Sequence, residues 1–156
     1  MRIDLAREIE PRLRDELRKA GKREIGGLLL GEQLSPGRFR IVDFSVDAIS
    51  GSHATFRRDP SAHRQVLEAF FARTSRDFAR FNYLGEWHSH PSFSVRPSVD
   101  DMRTMTELVE EVDSTISFAA LLIVRLRLWW ISHSLTVFAR GRAPRATQIR
   151  PRITWI

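Results

Sequence analysis

Apolar residues near the start of the chain recur at helical spacing. Leu5, Ile9, Leu13 and Leu17 share one face of a helix predicted over residues 6–20, and Gly21 supplies its stop. The period then changes. Residues 25–31, IGGLLLG, form an unbroken apolar run bounded by glycines, which reads as a buried strand rather than an amphipathic helix. The polar turn GEQLSPG leads to a second strand near 38–48, whose alternation changes phase around Ile41 and Val42. A bulge or burial on both faces would each account for that shift. Gly51 and Ser52 break the chain, and the following HATFRRD is polar without a clear period. From Asp59-Pro60-Ser61 an amphipathic helix is expected to run to about Phe81, with Val66, Leu67, Phe70, Phe71, Phe78 and Phe81 mainly on one face.

A strand at about 83–90 comes next, then a loop and a helix over about 98–112 carrying Met102, Met105, Val109 and Val112. Two further strands are expected within 116–139, although no Asn-Gly pair marks the turn between them. Residues 140–156, rich in arginine and holding Pro144 and Pro151, read as an irregular basic tail. This order of elements predicts a mixed α/β or α+β domain over residues 1–139, with helices packed on a mostly antiparallel sheet. A chain of 156 residues suffices for one such core.

Composition narrows the chemistry. With no cysteine, disulfides, thiolate catalysis, Fe–S clusters and Cys-type zinc fingers are excluded, so a transition metal would need His and carboxylate ligands. The longest apolar run, Phe118 to Val124, ends at Arg125 and falls well short of the roughly 20 residues a membrane span needs. The opening MRIDLAREIEP has no apolar core of a signal peptide, so a cytoplasmic protein with no membrane partner is expected. The net charge of +6 comes almost wholly from arginine. Because many of those arginines alternate with acids, as in REIEPRLRDELRK, the charge reads as solvated surface rather than a nucleic-acid footprint.

Candidate chemistry concentrates in residues 85–101, GEWHSHPSFSVRPSVDD. On a strand His88 and His90 point to one face, near enough to share an ion, and Pro91 ends the strand beside them. A catalytic zinc site needs a third ligand and an open position. Glu86, Asp100 and Asp101 are all candidates for that ligand, and local geometry does not choose among them. Simpler roles exist for each group. Ser98 and Asp101 fit a capping box, Glu24 fits a surface charge, and His53, His63 and His133 read as structural. Trp87, on the other face from the histidines, is expected in the core.

The spacing from His88 and His90 to Ser98 and Asp101 resembles the H-x-H-x7-S-x2-D signature of the JAMM (MPN+) metalloproteases. Upstream, Glu24-Ile25-Gly26-Gly27-Leu28-Leu29-Leu30-Gly31 resembles that family's E-x-x-G-x-L-x-G strand. The resemblance covers about residues 20–139. It implies an MPN/JAB-like, cytidine-deaminase-like sandwich and one zinc ion per chain, held by His88, His90 and Asp101. In that reading Glu24 moves the proton from water to the leaving amine, and Ser98 helps stabilise the oxyanion. The activity implied is that of an isopeptidase or peptidase cutting after the C-terminal tail of a ubiquitin-like protein, or cutting a protein conjugated by a ubiquitin-like system.

The single-domain form and YLGEWHSHP look like the stand-alone bacterial members of the family. Those accompany activating and conjugating enzymes in anti-phage operons, including systems that tether a cyclic-nucleotide synthase to its targets. Two alternatives share the fold: a processing protease for a sulfur-carrier-like protein, and a scaffold without catalysis. An extended substrate tail could add to a sheet edge, for which HATFRRD is a candidate edge or flap.

Overall fold

In β5 (Phe118–Leu126) alternate residues serve different cores, which explains why the run has no polar face. Ala120, Leu122 and Val124 join a cluster with Ile9, Leu13, Leu17 and Ala20 of α1 (Ile9–Ala20). Ala119, Leu121 and Ile123 instead meet Met105 and Val109 of α3 (Val99–Glu110). In β2 (Gly26–Ser35) the same division holds. Leu29 faces the α1 side, whereas Leu28 and Leu30 pack with Phe70 of α2 (Pro60–Arg73). One helix therefore covers one face of the sheet and two cover the other, as expected for strands apolar on both sides.

The computed structural model describes residues 1–47 and 60–149. Its remaining strands are β1 (Arg2–Leu5), β3 (Arg38–Phe44), β4 (Phe81–Ser89), β6 (Ile131–Ala139) and β7 (Arg142–Thr147). The seven strands form one sheet in the order β1-β3-β2-β4-β5-β6-β7. Pairings β1–β3 and β4–β5 are parallel, and the other four are antiparallel. The expected mixed, mostly antiparallel sheet flanked by helices is thus the fold. The phase change in the second strand is a bulge: Leu30 pairs with Asp43 but Gly31 with Ile41, leaving Val42 unpaired in that ladder.

Three expectations need correction. Leu5 belongs to β1 and not to the first helix, because Arg2–Leu5 finds a parallel partner in Arg38–Ile41. The second helix stops at Arg73 rather than Phe81. Ser75 and Arg76 adopt positive φ (56° and 55°), and the chain turns back while Phe78 meets Phe71 edge-on, ring centroids 4.9 Å apart. The basic tail is regular in part, since Arg142–Thr147 pairs with β6 as an edge strand, where Pro144 is tolerated. His53 and the HATFRRD segment lie outside the described residues.

A buried carboxylate ties the middle of the sheet together. Glu32 is 3% exposed. Its Oε2 accepts from Arg40 Nη2 at 2.5 Å, and its Oε1 from Arg80 Nη2 at 2.6 Å. Burial pushes its pKa up, but hydrogen bonds from both guanidinium groups outweigh burial and hold it below the ordinary 4.5. Its stabilising contribution is therefore complete above the unfolded-state value and is lost as pH falls through the lower folded value. Glu32→Gln is expected to cost about 1–3 kcal/mol in urea unfolding near neutrality. The same variant should lose less stability than the parent on acidification; parallel acid limbs for the two proteins would contradict this role.

Candidate metal centre

Both neighbouring strands hold the end of β4. Ser89 N–H donates to Ile25 O at 2.7 Å, and Ile25 N–H returns a bond to Ser89 Oγ at 3.0 Å. On the other side His90 N–H donates to Val124 O at 2.9 Å. Pro91 has no N–H to extend the ladder, so the strand ends with both imidazoles at its tip. Trp87 lies on the opposite face, fully buried as expected, and its Nε1–H donates to Ser45 O at 2.8 Å.

Gly26 pairs with His88, and a Cβ there would come within 2.4 Å of Trp87 O and 2.9 Å of His88 Cβ. The missing side chain lets β2 approach closely enough to lie against the base of the first histidine. Half-buried Glu24 stands two residues before Gly26. Continuing the antiparallel register one pair beyond Ile25 and Ser89 brings Glu24 level with His90.

The two Nε2 atoms of His88 and His90 are 3.0 Å apart, and His88 Nε2 is 3.5 Å from Asp101 Oδ1. Donor atoms of the three residues all lie within 4.8 Å of one another. His90 Nδ1 is 2.7 Å from Ser94 O, a carbonyl that can only accept, so Nδ1 carries the proton and Nε2 keeps its lone pair. At 3.0 Å from that lone pair, His88 Nε2 must either present a proton to it or share a cation with it. Zinc bonds of 2.0–2.1 Å at tetrahedral angles separate donors by about 3.3 Å, so both short separations suit that ion.

Asp101 is aimed by its helix. Ser98 N–H donates to Asp101 Oδ2 at 2.7 Å, and Asp101 N–H donates to Ser98 Oγ at 3.0 Å, completing the expected capping box. Oδ1 is left facing His88. Burial raises the carboxyl's pKa, but the hydrogen bond and charge of His88, together with the Ser98 bonds, bring it from 3.8 down to about 2. The group is anionic at neutral pH.

The other two acids go elsewhere. A bulge at Leu84 puts Tyr83 on the face of Glu86, and the Tyr83 hydroxyl lies 3.4 Å from Glu86 Oε1. Asp100 is exposed and meets Arg103 at 3.3 Å. His63 pairs with Asp47 at 3.0 Å, and His133 is exposed on β6. Among the described residues, His88, His90 and Asp101 are the group able to hold a metal. A cavity of about 260 Å³ lined by Phe39, Phe78, Tyr83 and Phe118 lies by the other ends of β4 and β5 and has no part in this cluster.

Sequence reasoning missed two supports. Gly26 falls outside the family's glycine pattern, and only the register reveals its role. Arg125, which donates from Nη1 to Phe93 O at 3.0 Å, braces the loop after His90. Nothing local marks that contact, which spans separate elements.

A family model described as prokaryotic homologs of the JAB domain matches residues 7–137. A protein from Enterobacter hormaechei subsp. hoffmannii (strain UCI 50), named CD-NTase/cGAS isopeptidase, is 33% identical over 102 residues, covering 63% of this chain and 53% of that one. The match thus spans about half of that relative's length. The fold is shared with a solution structure from Desulfitobacterium hafniense, with a TM-score of 0.71 and 19% identity, covering 95% of this chain and 91% of the other. A Salinibacter ruber solution structure aligns with a TM-score of 0.53 and 22% identity over 97% and 93% of the two chains.

Proposed function

Because the chain belongs to the prokaryotic JAB-domain family, we propose that it is a zinc-dependent isopeptidase that removes a conjugated protein from its target. The observation that carries this reading is the convergence of His88, His90 and Asp101 at the mouth of β4. The name of the Enterobacter relative supports a substrate in which a CD-NTase is joined to another protein through an isopeptide bond, and we extend it to a bond made by the C-terminal tail of that protein or of a ubiquitin-like one. We extend the proposal to a bacterial anti-phage conjugation system, with its activating and conjugating enzymes as functional partners. Among the described residues no helix is long and apolar enough to cross a membrane.

His88, His90 and Asp101 would hold the ion. When bound, zinc supplies Lewis-acid polarisation of the scissile carbonyl and makes water a usable nucleophile near neutral pH. Glu24, which is not among the ligands, would take the proton from the attacking water and pass it to the leaving amine. The lone pair of Ser98 Oγ accepts from Asp101 N–H, so its hydroxyl hydrogen can still be donated to the developing oxyanion. The capping and catalytic roles of Ser98 are therefore compatible.

The test uses a CD-NTase joined through its C-terminal carboxyl to a lysine ε-amine on a fluorescent peptide. Release of that peptide, its loss on chelation, its return with added zinc, and about one zinc per chain are the expected results. A protein that cleaves equally well without metal, or never cleaves this bond, defeats the proposal.

A further inference from the structure

We infer that the tip of the β5–β6 hairpin is a docking element for the folded body of the conjugated protein whose tail enters the metal centre; the inference rests on the proposed function. Leu128, Trp129 and Trp130 at this tip are 84%, 82% and 55% exposed. Leu126 pairs with Ile131, and Arg127 N–H donates to Trp130 O at 2.8 Å, so only Leu128 and Trp129 remain in the turn. Turns this tight ordinarily use Gly, Asn or Asp. Large apolar side chains at that position contribute nothing visible to the fold.

The tip lies at the metal end of the sheet. β5 runs parallel to β4, with Val124 level with Ser89, and then continues roughly 10 Å beyond it to the turn. Its base supports the loop that follows His90: Arg125 bonds Phe93 O, and Ser134 Oγ bonds Val95 O. Phe93 is itself exposed and stands edge-on to His90, with ring centroids 6.4 Å apart. A protein resting on Phe93 and the hairpin would thus have its surface beside the donor cluster.

Charge and area select the occupant. Among the described residues, neither Arg125 nor Arg127 forms an ion pair, so the apolar tip has a cationic rim. The complementary partner is an apolar patch edged with carboxylates. A second copy of this chain fits less well, since symmetric docking would bring the same arginines together. Aromatic side chains bury about 150–250 Å² each, so Phe93 and the two tryptophans would supply a large part of the roughly 800 Å² per partner in a standard interface. Trp and Arg are also the residue types that dominate binding energy at interfaces.

The test compares the parent with Trp129→Ser/Trp130→Ser and, separately, with Arg127→Glu. Two probes carry the same fluorescent lysine peptide, one on a complete CD-NTase and one on a peptide of its last ten or so residues. The parent's preference for the complete probe in kcat/KM should fall at least tenfold in both variants, through KM. Affinity for unconjugated CD-NTase, followed by tryptophan emission in the parent and by calorimetry in all three proteins, should weaken at least tenfold. Because affinity does not depend on cleavage, it decides the docking claim even if the parent cleaves neither probe, an outcome that would refute the isopeptidase reading alone. Unchanged affinity in a folded variant overturns the inference. So does a hairpin whose replacement abolishes dimerisation or binding to anionic phosphatidylglycerol vesicles while leaving CD-NTase affinity intact. If the double variant fails to fold, Arg127→Glu decides.

Discussion

Glu24→Ala is expected to leave the metal content unchanged and to slow cleavage of the conjugate by about 10²–10⁴-fold, the contribution usual for a positioned general acid–base. Gly26 brings β2 against His88, and Glu24, two residues before it, is level with His90 when the register is continued. In the proposed mechanism that placement would let its carboxylate serve water and leaving amine in turn while the donor cluster stays intact. The expected signature is a lower kcat with zinc still near one per chain. An active Glu24→Ala protein would remove the residue from the chemistry. Loss of zinc would show that Glu24 is a ligand instead.

The second large effect separates the acids around the histidines. Asp101→Ala should reduce bound zinc from about one per chain to a trace, as should His88→Ala or His90→Ala. Glu86→Ala should retain it, because the Glu86 carboxylate is 3.4 Å from the Tyr83 hydroxyl and outside the donor cluster. Asp101 also caps α3, so its replacement weakens that helix. Ser98→Ala controls for this: it removes the cap at a cost of about 0.5–2 kcal/mol while leaving the Asp101 carboxylate in place. Zinc retained in Ser98→Ala but lost in Asp101→Ala assigns the loss to ligation. Zinc lost only in Glu86→Ala would overturn the ligand set.

What could be read from the chain depended on how local the cause was. The capping box and the histidine pair are set by spacings of three and two residues, and both were legible. Strands β2 and β5 announced themselves as apolar runs because each face of each strand meets a different core. Choosing Asp101 over Glu86 and Asp100 required the family resemblance, since all three acids are near in sequence and only the folded chain points them differently. Strand β7 escaped notice because it is a polar edge whose only signal is a distant partner, and β1 because four residues are too few for their alternation to stand out from the helical spacing of Leu5 and Ile9. The second helix was read too long because Ser75 and Arg76 take the left-handed conformation without a glycine to mark it.

The two hydrogen bonds between Ser98 and Asp101 have a consequence for metal choice. The one from Ser98 N–H to Asp101 Oδ2 holds the carboxylate's rotamer before any ion arrives, as Ser94 O does for the ring of His90. An entering ion then has little side-chain entropy left to remove, which favours tight binding. The same stiffness is a filter: calcium and magnesium require six or more oxygen-rich contacts, and this site offers two nitrogens and one preset oxygen. In the proposed site, the first turn of a helix would thus help to select a small, nitrogen-preferring cation.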